Sequence, residues 1–212
     1  MLHVRSFTLN PIQENTYFVF NETGDCAIID PGCYFDEEKQ ELSQFIAAHT
    51  LKPQLLLNTH CHLDHVFGNK YIAETYELEL HVHPLEKQLL EMAPASGLMY
   101  NMPFDNYQGP LHDLIPDQII KLGNDELRCL FTPGHSPGSI SFYSAAQGFV
   151  ISGDVLFSGS VGRTDLPGGD MKILLNSIQT QLLTLPDETI VYSGHGPATT
   201  IGMERAQNPY LR

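Results

Sequence analysis

The sequence predicts one layered α/β domain spanning residues 1–212, and three observations carry that reading. Strand-like and helix-like runs interleave along the whole chain, with no linker, low-complexity tract or internal repeat to divide them. At 212 residues the chain can bury a substantial core without disulfide staples. An apolar fraction of 42% against 17% charged residues is the composition of a soluble globular protein.

Residues 2–30 read as short strands. Tyr17 to Phe20 and Cys26 to Ile29 are β-rich, and Asn21 to Asp25, with Gly24, reads as the turn between them. Asp30-Pro31-Gly32 then breaks the chain and leaves a carboxylate at a strand end. Asp36 to His49 turns helical, with Asp36 the expected N-cap, acids in the first turn, and Leu42, Phe45, Ile46 and His49 on one face. Leu55-Leu56-Leu57 is a short buried strand, followed by a helix near Asn69–Glu77 and a strand at Glu79–His83. Pro84 suits the first turn of another helix, with Leu85, Leu89 and Met92 in line. Residues 93–116 hold four prolines and two glycines without periodicity, and read as a long loop, either functional or disordered. In it Met99, Tyr100, Met102 and Phe104 either wall an apolar substrate pocket or plug the core beneath. Strands resume at Gln118–Lys121, Glu126–Phe131, Ser139–Tyr143 and Phe149–Ile151. An amphipathic helix follows from Asp170, with Met171, Leu174, Leu175, Ile178 and Leu182 on one stripe, stopped before Pro186. Thr189–Tyr192 is the expected last strand.

The chemistry is concentrated between Leu55 and Gly68, LLLNTHCHLDHVFG. His60, His62, Asp64 and His65 fall within six positions. Borderline metals such as zinc take imidazole nitrogen and carboxylate oxygen together, so this density points to a metal site. Four apolar strand runs also end just before a candidate ligand: Leu57 before His60, Phe131 before His135, Ile151 before Asp154, and Tyr192 before His195. If those strands run the same way, the four positions gather at one rim. The set of His60, His62, Asp64, His65, His135, Asp154 and His195 exceeds a closed four-ligand zinc site and suits two metals with an open position. Asp64 and Asp154 each have the two oxygens needed to bridge them.

Composition excludes other classes. Acidic residues outnumber basic ones 25 to 11, and a surface of that sign repels phosphate backbones, so no nucleic-acid partner is expected. No apolar run approaches the roughly 18 residues of a membrane span. Cys26, Cys33, Cys61 and Cys129 form no CxxC pair and fit free thiols in a reducing compartment. The N-terminus MLHVRSFTLN lacks a signal-peptide pattern, so a cytoplasmic protein is expected.

Asp30-Pro31-Gly32, the HCHLDH loop His60–His65, Gly134-His135-Ser136, Gly153-Asp154 and Gly194-His195-Gly196 occur in the order of the metallo-β-lactamase superfamily, whose HxHxDH signature the loop resembles. The resemblance covers essentially the whole chain. It implies an αββα sandwich with metals at one edge of the two sheets. It also implies that His60, His62 and His135 hold one metal, that Asp64, His65 and His195 hold a second, that Asp154 bridges them, and that Asp30 and Thr59 orient the ligating rings. Ser152–Arg163, continuing into TDLPGGD, and the ending SGHGPATTIGMERAQNPYL resemble the short glyoxalase-II-like (hydroxyacylglutathione hydrolase-like) branch. That branch implies hydrolysis of a small thioester of the S-lactoylglutathione type by a hydroxide held between two metals, most simply two Zn2+. Full-length glyoxalase II carries a C-terminal helical domain that grips glutathione, for which the 17 residues after His195 are too few. Arg163 either binds an anionic substrate group or pairs with Asp165. Two other outcomes stay open. Persulfide dioxygenases share an HCHxDH loop and a GRTD stretch, here Gly162–Asp165, and imply a single iron on His60, His135 and Asp154. A metal-stabilised binding module without turnover is the third. Exported lactamases fit the N-terminus poorly.

Gly134–Gly138 spells GxSxG, the serine-hydrolase elbow. The residue after the serine should donate its backbone N–H to an oxyanion, and Pro137 has none, so Ser136 is not expected to act as nucleophile. Cys61, inside the ligand loop, is expected to be a packed thiol, and His81 and His83 packed or surface residues.

Overall fold

In the computed structural model, which describes residues 1–212, β1 (Leu2–Leu9), β2 (Glu14–Asn21), β3 (Asp25–Ile29), β4 (Lys52–Leu57), β5 (Leu80–Val82) and β6 (Leu111–Asp113) form one sheet in that order. Successive side chains on a strand point to opposite faces, and this sheet is apolar on both. Tyr17, Val19, Ala27, Ile29 and Leu57 point one way into the layer between the sheets. Phe18, Cys26, Ile28 and Leu56 point the other way, onto α1 (Asp36–Ala48), α3 (Asn69–Tyr76) and α4 (Lys87–Met99), the short α2 (Leu63–Val66) lying among them.

The second sheet comprises β7 (Ile119–Leu122), β8 (Asp125–Phe131), β9 (Ile140–Ser144), β10 (Phe149–Gly153), β13 (Ile190–Ser193) and β14 (Thr199–Thr200), in the order β14-β13-β10-β9-β8-β7. Between β10 and β13 lie the two-residue strands of a small hairpin, β11 (Leu156–Phe157) and β12 (Ser160–Val161), and then α5 (Met171–Ser177). Leu127, Cys129, Ile140, Phe142 and Ile151 meet the first sheet. Leu130, Val150 and Val191 meet Leu174, Ile178, Leu182 and Ile201, the last opening α6 (Ile201–Gln207). The result is the αββα layering. β10 and β13 are parallel, and β8 and β10 both run antiparallel to β9, so β8, β10 and β13 point the same way. No helix is long and apolar enough to cross a membrane.

Several local expectations need correction. Phe35, not Asp36, is the N-cap of α1; it offers no polar side chain, and the Glu38 carboxylate takes its N–H at 3.0 Å instead. After a 3₁₀ turn at Pro84–Glu86, α4 runs through Pro94 to Met99, so 93–99 is helix rather than loop. Its buried face is Leu90, Ala93 and Gly97, while Leu85 and Met92 are exposed, because the helix lies close over Phe104 and small residues face the core. The stripe after Asp170 continues beyond α5 as a π turn at Ile178–Leu182, and Met171 is exposed. Thr189–Tyr192 is not the last strand, since β14 and α6 follow it.

Candidate metal centre

The shared direction of β8, β10 and β13 brings the loops after them to one edge, where the loop after β4 meets them. Ile140 N–H donates to Thr59 O at 2.9 Å and ties the two sheets together at that rim. His60, His65, His135 and Asp64 are buried, and His62, Asp154 and His195 half-buried.

Hydrogen bonds fix the tautomers of four of the five imidazoles. Thr59 Oγ1 spends its proton on Asp30 Oδ2 at 2.5 Å and so accepts from His60 Nδ1 at 3.0 Å. His65 Nδ1 donates to Asp30 Oδ2 at 3.1 Å, His135 Nδ1 to Arg163 O at 2.7 Å, and His195 Nδ1 to Gln13 O at 3.0 Å. Each bond turns Nε2 inward, where it is a lone pair whenever the ring is neutral. Asp30 also takes the Thr59 N–H at 2.7 Å and Asn58 Nδ2 at 3.2 Å, so it anchors both the strand end and two rings, as expected of Asp30 and Thr59.

The inward atoms form two groups. In the first, His135 Nε2 lies 3.2 Å from His60 Nε2 and 2.8 Å from His62 Nδ1. In the second, Asp64 Oδ2 lies 3.1 Å from His195 Nε2 and 3.7 Å from His65 Nε2. Asp154 stands between them, Oδ2 at 3.5 Å from His135 Nε2 and 3.6 Å from His195 Nε2, Oδ1 at 3.5 Å from His65 Nε2. A Cβ at Gly194 would meet Asp154 Oδ1 at 2.1 Å, so that position admits only glycine.

This donor set fits a bound cation. The His60 and His135 lone pairs face each other and repel unless a positive charge lies between them. A tetrahedral ion with metal–nitrogen bonds of about 2.0–2.1 Å separates its nitrogens by roughly 3.3 Å, close to what the first group shows. His65 Nε2 and Asp154 Oδ1 are also buried without any hydrogen-bond partner. His60, His62 and His135 form one group suited to an ion, and Asp64, His65 and His195 another.

Protonation follows the same division. Burial, followed by the neighbouring imidazoles, holds His60 well below the usual histidine range, and burial with the adjacent His135 brings His62 down to about 3. Burial lowers His135 as well. These three rings are therefore neutral, as ligands must be. Burial works against charging His65, but Asp64, Asp154 and Asp30 outweigh it and raise His65. Burial likewise opposes ionisation of Asp64 and Asp154, and His65 beside them overcomes it, holding both carboxyls low.

Several contributors were not legible in the sequence. Asn10 Nδ2 donates to Gly32 O at 3.0 Å and Asp64 O at 3.1 Å, and Asn15 Nδ2 to Ser193 O at 3.1 Å, so the β1–β2 tip holds two ligand loops. Glu14 is fully buried 3.8 Å from His65 Nδ1, and burial pushes its carboxyl well up. Glu86 is buried beneath the HCHLDH loop. Asn10, Asn15 and Glu86 grip backbone groups distant in sequence, Glu14 faces the His65 ring, and only the run Asn10–Thr16 was a signal.

The expected substrate residues do not act as one wall. Met99 and Tyr100 are exposed at the end of α4, whereas Phe104 packs edge-on against Phe67, ring centres 4.9 Å apart, and plugs the core. Arg163 is exposed and makes two 2.7 Å bonds to Asp165. Ser136 is buried, with its hydroxyl donating to Glu86. Cys61 is a packed thiol that burial raises, His83 is buried against Phe131, and His81 is half-buried and stacked on His112.

The family model of the metallo-beta-lactamase superfamily matches residues 9–195. Among curated relatives, the "Probable metallo-hydrolase YqgX" of Bacillus subtilis is 41% identical, covering 98% of this chain and 96% of that one. The hydroxyacylglutathione hydrolase GloC of Haemophilus influenzae is 36% identical, covering 99% and 98%. Among solved structures, the B3 metallo-beta-lactamase BLEG-1 superposes with a TM-score of 0.91 at 38% identity, covering 99% of each chain. TTHA1623 in a di-iron-bound form gives 0.88 at 40%, covering 98% and 100%. ETHE1 from Myxococcus xanthus gives 0.79 at 25%, covering 98% and 83%.

Proposed function

The chain belongs to the metallo-beta-lactamase superfamily, and on that premise we propose that it is a two-metal hydrolase cleaving thioesters of the S-lactoylglutathione type. The observation that carries this is Asp154, a single carboxylate 3.5 Å from ligand atoms of both groups, His135 and His65. His60, His62 and His135 would hold the first ion and Asp64, His65 and His195 the second, with Asp154 shared. Zinc suits the mixed imidazole and carboxylate set, and the di-iron form of TTHA1623 makes iron the alternative occupant.

When bound, the ions would polarise the carbonyl and lower the pKa of a coordinated water towards about 7. The chain's own part is geometric. Asp30, Gln13 O and the Arg163 carbonyl each take an Nδ1 proton, so that Nε2 is the atom each ring would offer to an ion, which at His65 and His195 would replace a proton. Asp64 and Asp154 stay ionised and contribute negative charge beside the ligand nitrogens. A thiolate leaves without strong protonation, so no further protein acid is needed. Arg163, exposed and paired with Asp165, would receive an anionic substrate group by exchanging that partner, and the exposed Met99 and Tyr100 would offer apolar contact. The thioester class is supported by the Haemophilus influenzae relative. Four buried free cysteines support a cytoplasmic location. Residues 1–212 are taken as one domain, because the same two sheets carry all three apolar layers.

BLEG-1 favours a second reading, cleavage of a β-lactam amide at the same centre. A single-iron dioxygenase would need only His60, His135 and Asp154, leaving the convergence of Asp64, His65 and His195 without a role. Metal analysis of purified protein, paired with turnover of S-lactoylglutathione and of a chromogenic β-lactam, tests the proposal. Two ions per chain with thioester cleavage support it. Efficient β-lactam cleavage without thioester cleavage moves the substrate class, and one iron with an empty second group overturns the hydrolase.

A further inference from the structure

Glu86 closes the 3₁₀ turn before α4, 24 residues after His62 and 49 before His135, and nothing in its local sequence marks it. Its side chain is completely buried. A buried carboxylate is costly unless hydrogen bonds compensate it, and this one collects three from two loops. Oε2 accepts the Cys61 N–H at 2.8 Å; Oε1 accepts the Gly138 N–H at 2.6 Å and the Ser136 hydroxyl. Cys61 lies between His60 and His62, and Ser136 and Gly138 follow His135. The carboxylate therefore spans the two loops that carry the first ligand group.

We propose that Glu86 is a positioning residue for that group: it sets the spacing between the loop holding His60 and His62 and the loop holding His135. This rests on the reading that those histidines hold a metal. His62 depends on it most. The other four rings have Nδ1 tied to a neighbour, but His62 has Nδ1 facing His135 and Nε2 without a partner. Its placement therefore comes from its backbone, and the adjacent Cys61 N–H is what Glu86 grips. The approach is close enough to dictate residue 138. A Cβ on Gly138 would stand 2.8 Å from both Glu86 Cγ and His83 Nδ1. The His83 ring is in turn placed by its own bond, Nδ1 accepting the Leu85 N–H at 3.3 Å.

The test compares wild type, Glu86→Ala and Glu86→Gln for stepwise cobalt and zinc affinity by chelator competition, with the cobalt absorption spectrum as a readout of ligand geometry. Thermal unfolding of the metal-free proteins reports any purely structural role. Glu86→Ala is expected to weaken one of the two ions about 10–100-fold and change its cobalt bands, while the other keeps its affinity within a few-fold. Glu86→Gln should fall between, because its amide oxygen still accepts one loop's N–H but its NH2 cannot accept the other's. Equal weakening of both ions, or unchanged stepwise affinities in either folded variant, overturns the proposal. Should Glu86→Ala not fold, the glutamine variant decides alone. A wild-type protein taking up fewer than two ions would instead refute the two-metal reading on which this rests.

Discussion

Asp30→Asn exchanges one carboxylate oxygen for an amide NH2 where four donors meet. Oδ1 takes the Thr59 N–H at 2.7 Å and Asn58 Nδ2 at 3.2 Å; Oδ2 takes the Thr59 hydroxyl at 2.5 Å and His65 Nδ1 at 3.1 Å. The asparagine carbonyl satisfies the Oδ1 side, which puts the NH2 opposite His65 Nδ1. Two donors cannot face each other, so His65 moves its proton to Nε2 and loses the lone pair aimed at Asp154 and Asp64. The backbone is not disturbed, since Asp30 sits at φ 50° and asparagine tolerates that region as aspartate does. The expected result is a folded protein whose second ion binds about 10–100-fold more weakly, or roughly 1.4–2.7 kcal/mol. Stepwise metal titration measures the loss, and nitrogen chemical shifts of the zinc-loaded protein report which His65 nitrogen keeps its proton. An Asp30→Asn protein with wild-type affinity at both positions, and the proton still on Nδ1, would refute the reasoning.

Asp154→Ala removes the one carboxylate shared by both groups, so both ions should weaken together and hydrolysis fall to background; elemental analysis retaining two ions with turnover intact would remove Asp154 from the site. In chelated protein, His62 has its folded pKa lowered by burial and His135 to about 3, so the stability from keeping it neutral is present above the unfolded value near 6.5 and lost as pH falls towards 3. His60 and His135 act in the same direction, while His65 and His195, raised by the carboxylates beside them, contribute a stabilisation that is fully present below the unfolded value and lost as pH rises above it. Urea midpoints should therefore drop as pH falls below about 6, where only the lowered rings still change the balance, and a flat profile there would contradict the neutral assignment. Met99→Ala with Tyr100→Ala should reorder acyl thioester preference at constant metal content and stability, measured as kcat/KM ratios. Phe104→Ala should instead cost about 1–3 kcal/mol of stability, because that ring is packed rather than presented.

The ligand set was legible because its signal is chemical and local: His60 to His65 crowd six positions, and His135, Asp154 and His195 each follow an apolar strand. The layering was legible for a related reason. The order of the motifs implied the αββα sandwich through the superfamily resemblance, and the apolar stretches Tyr17–Phe20, Cys26–Ile29 and Leu55–Leu57 marked three of its strands. The buried face of α4 was misread because hydrophobicity favours Leu85 and Met92, whereas close approach to Phe104 selects Ala93 and Gly97. β11, β12 and β14 have two residues each, too few for a period of two to register. Glu14 and Glu86 carried no local signal of burial, because the His65 ring that faces the first and the two loops that bond the second come from far along the chain.

The account stands most directly on release of thiol from S-lactoylglutathione by metal-loaded protein under nitrogen and under air. Equal rates in the two atmospheres are predicted, because hydrolysis consumes water and needs no oxygen. No thiol release under nitrogen, together with oxygen uptake on glutathione persulfide, would contradict it.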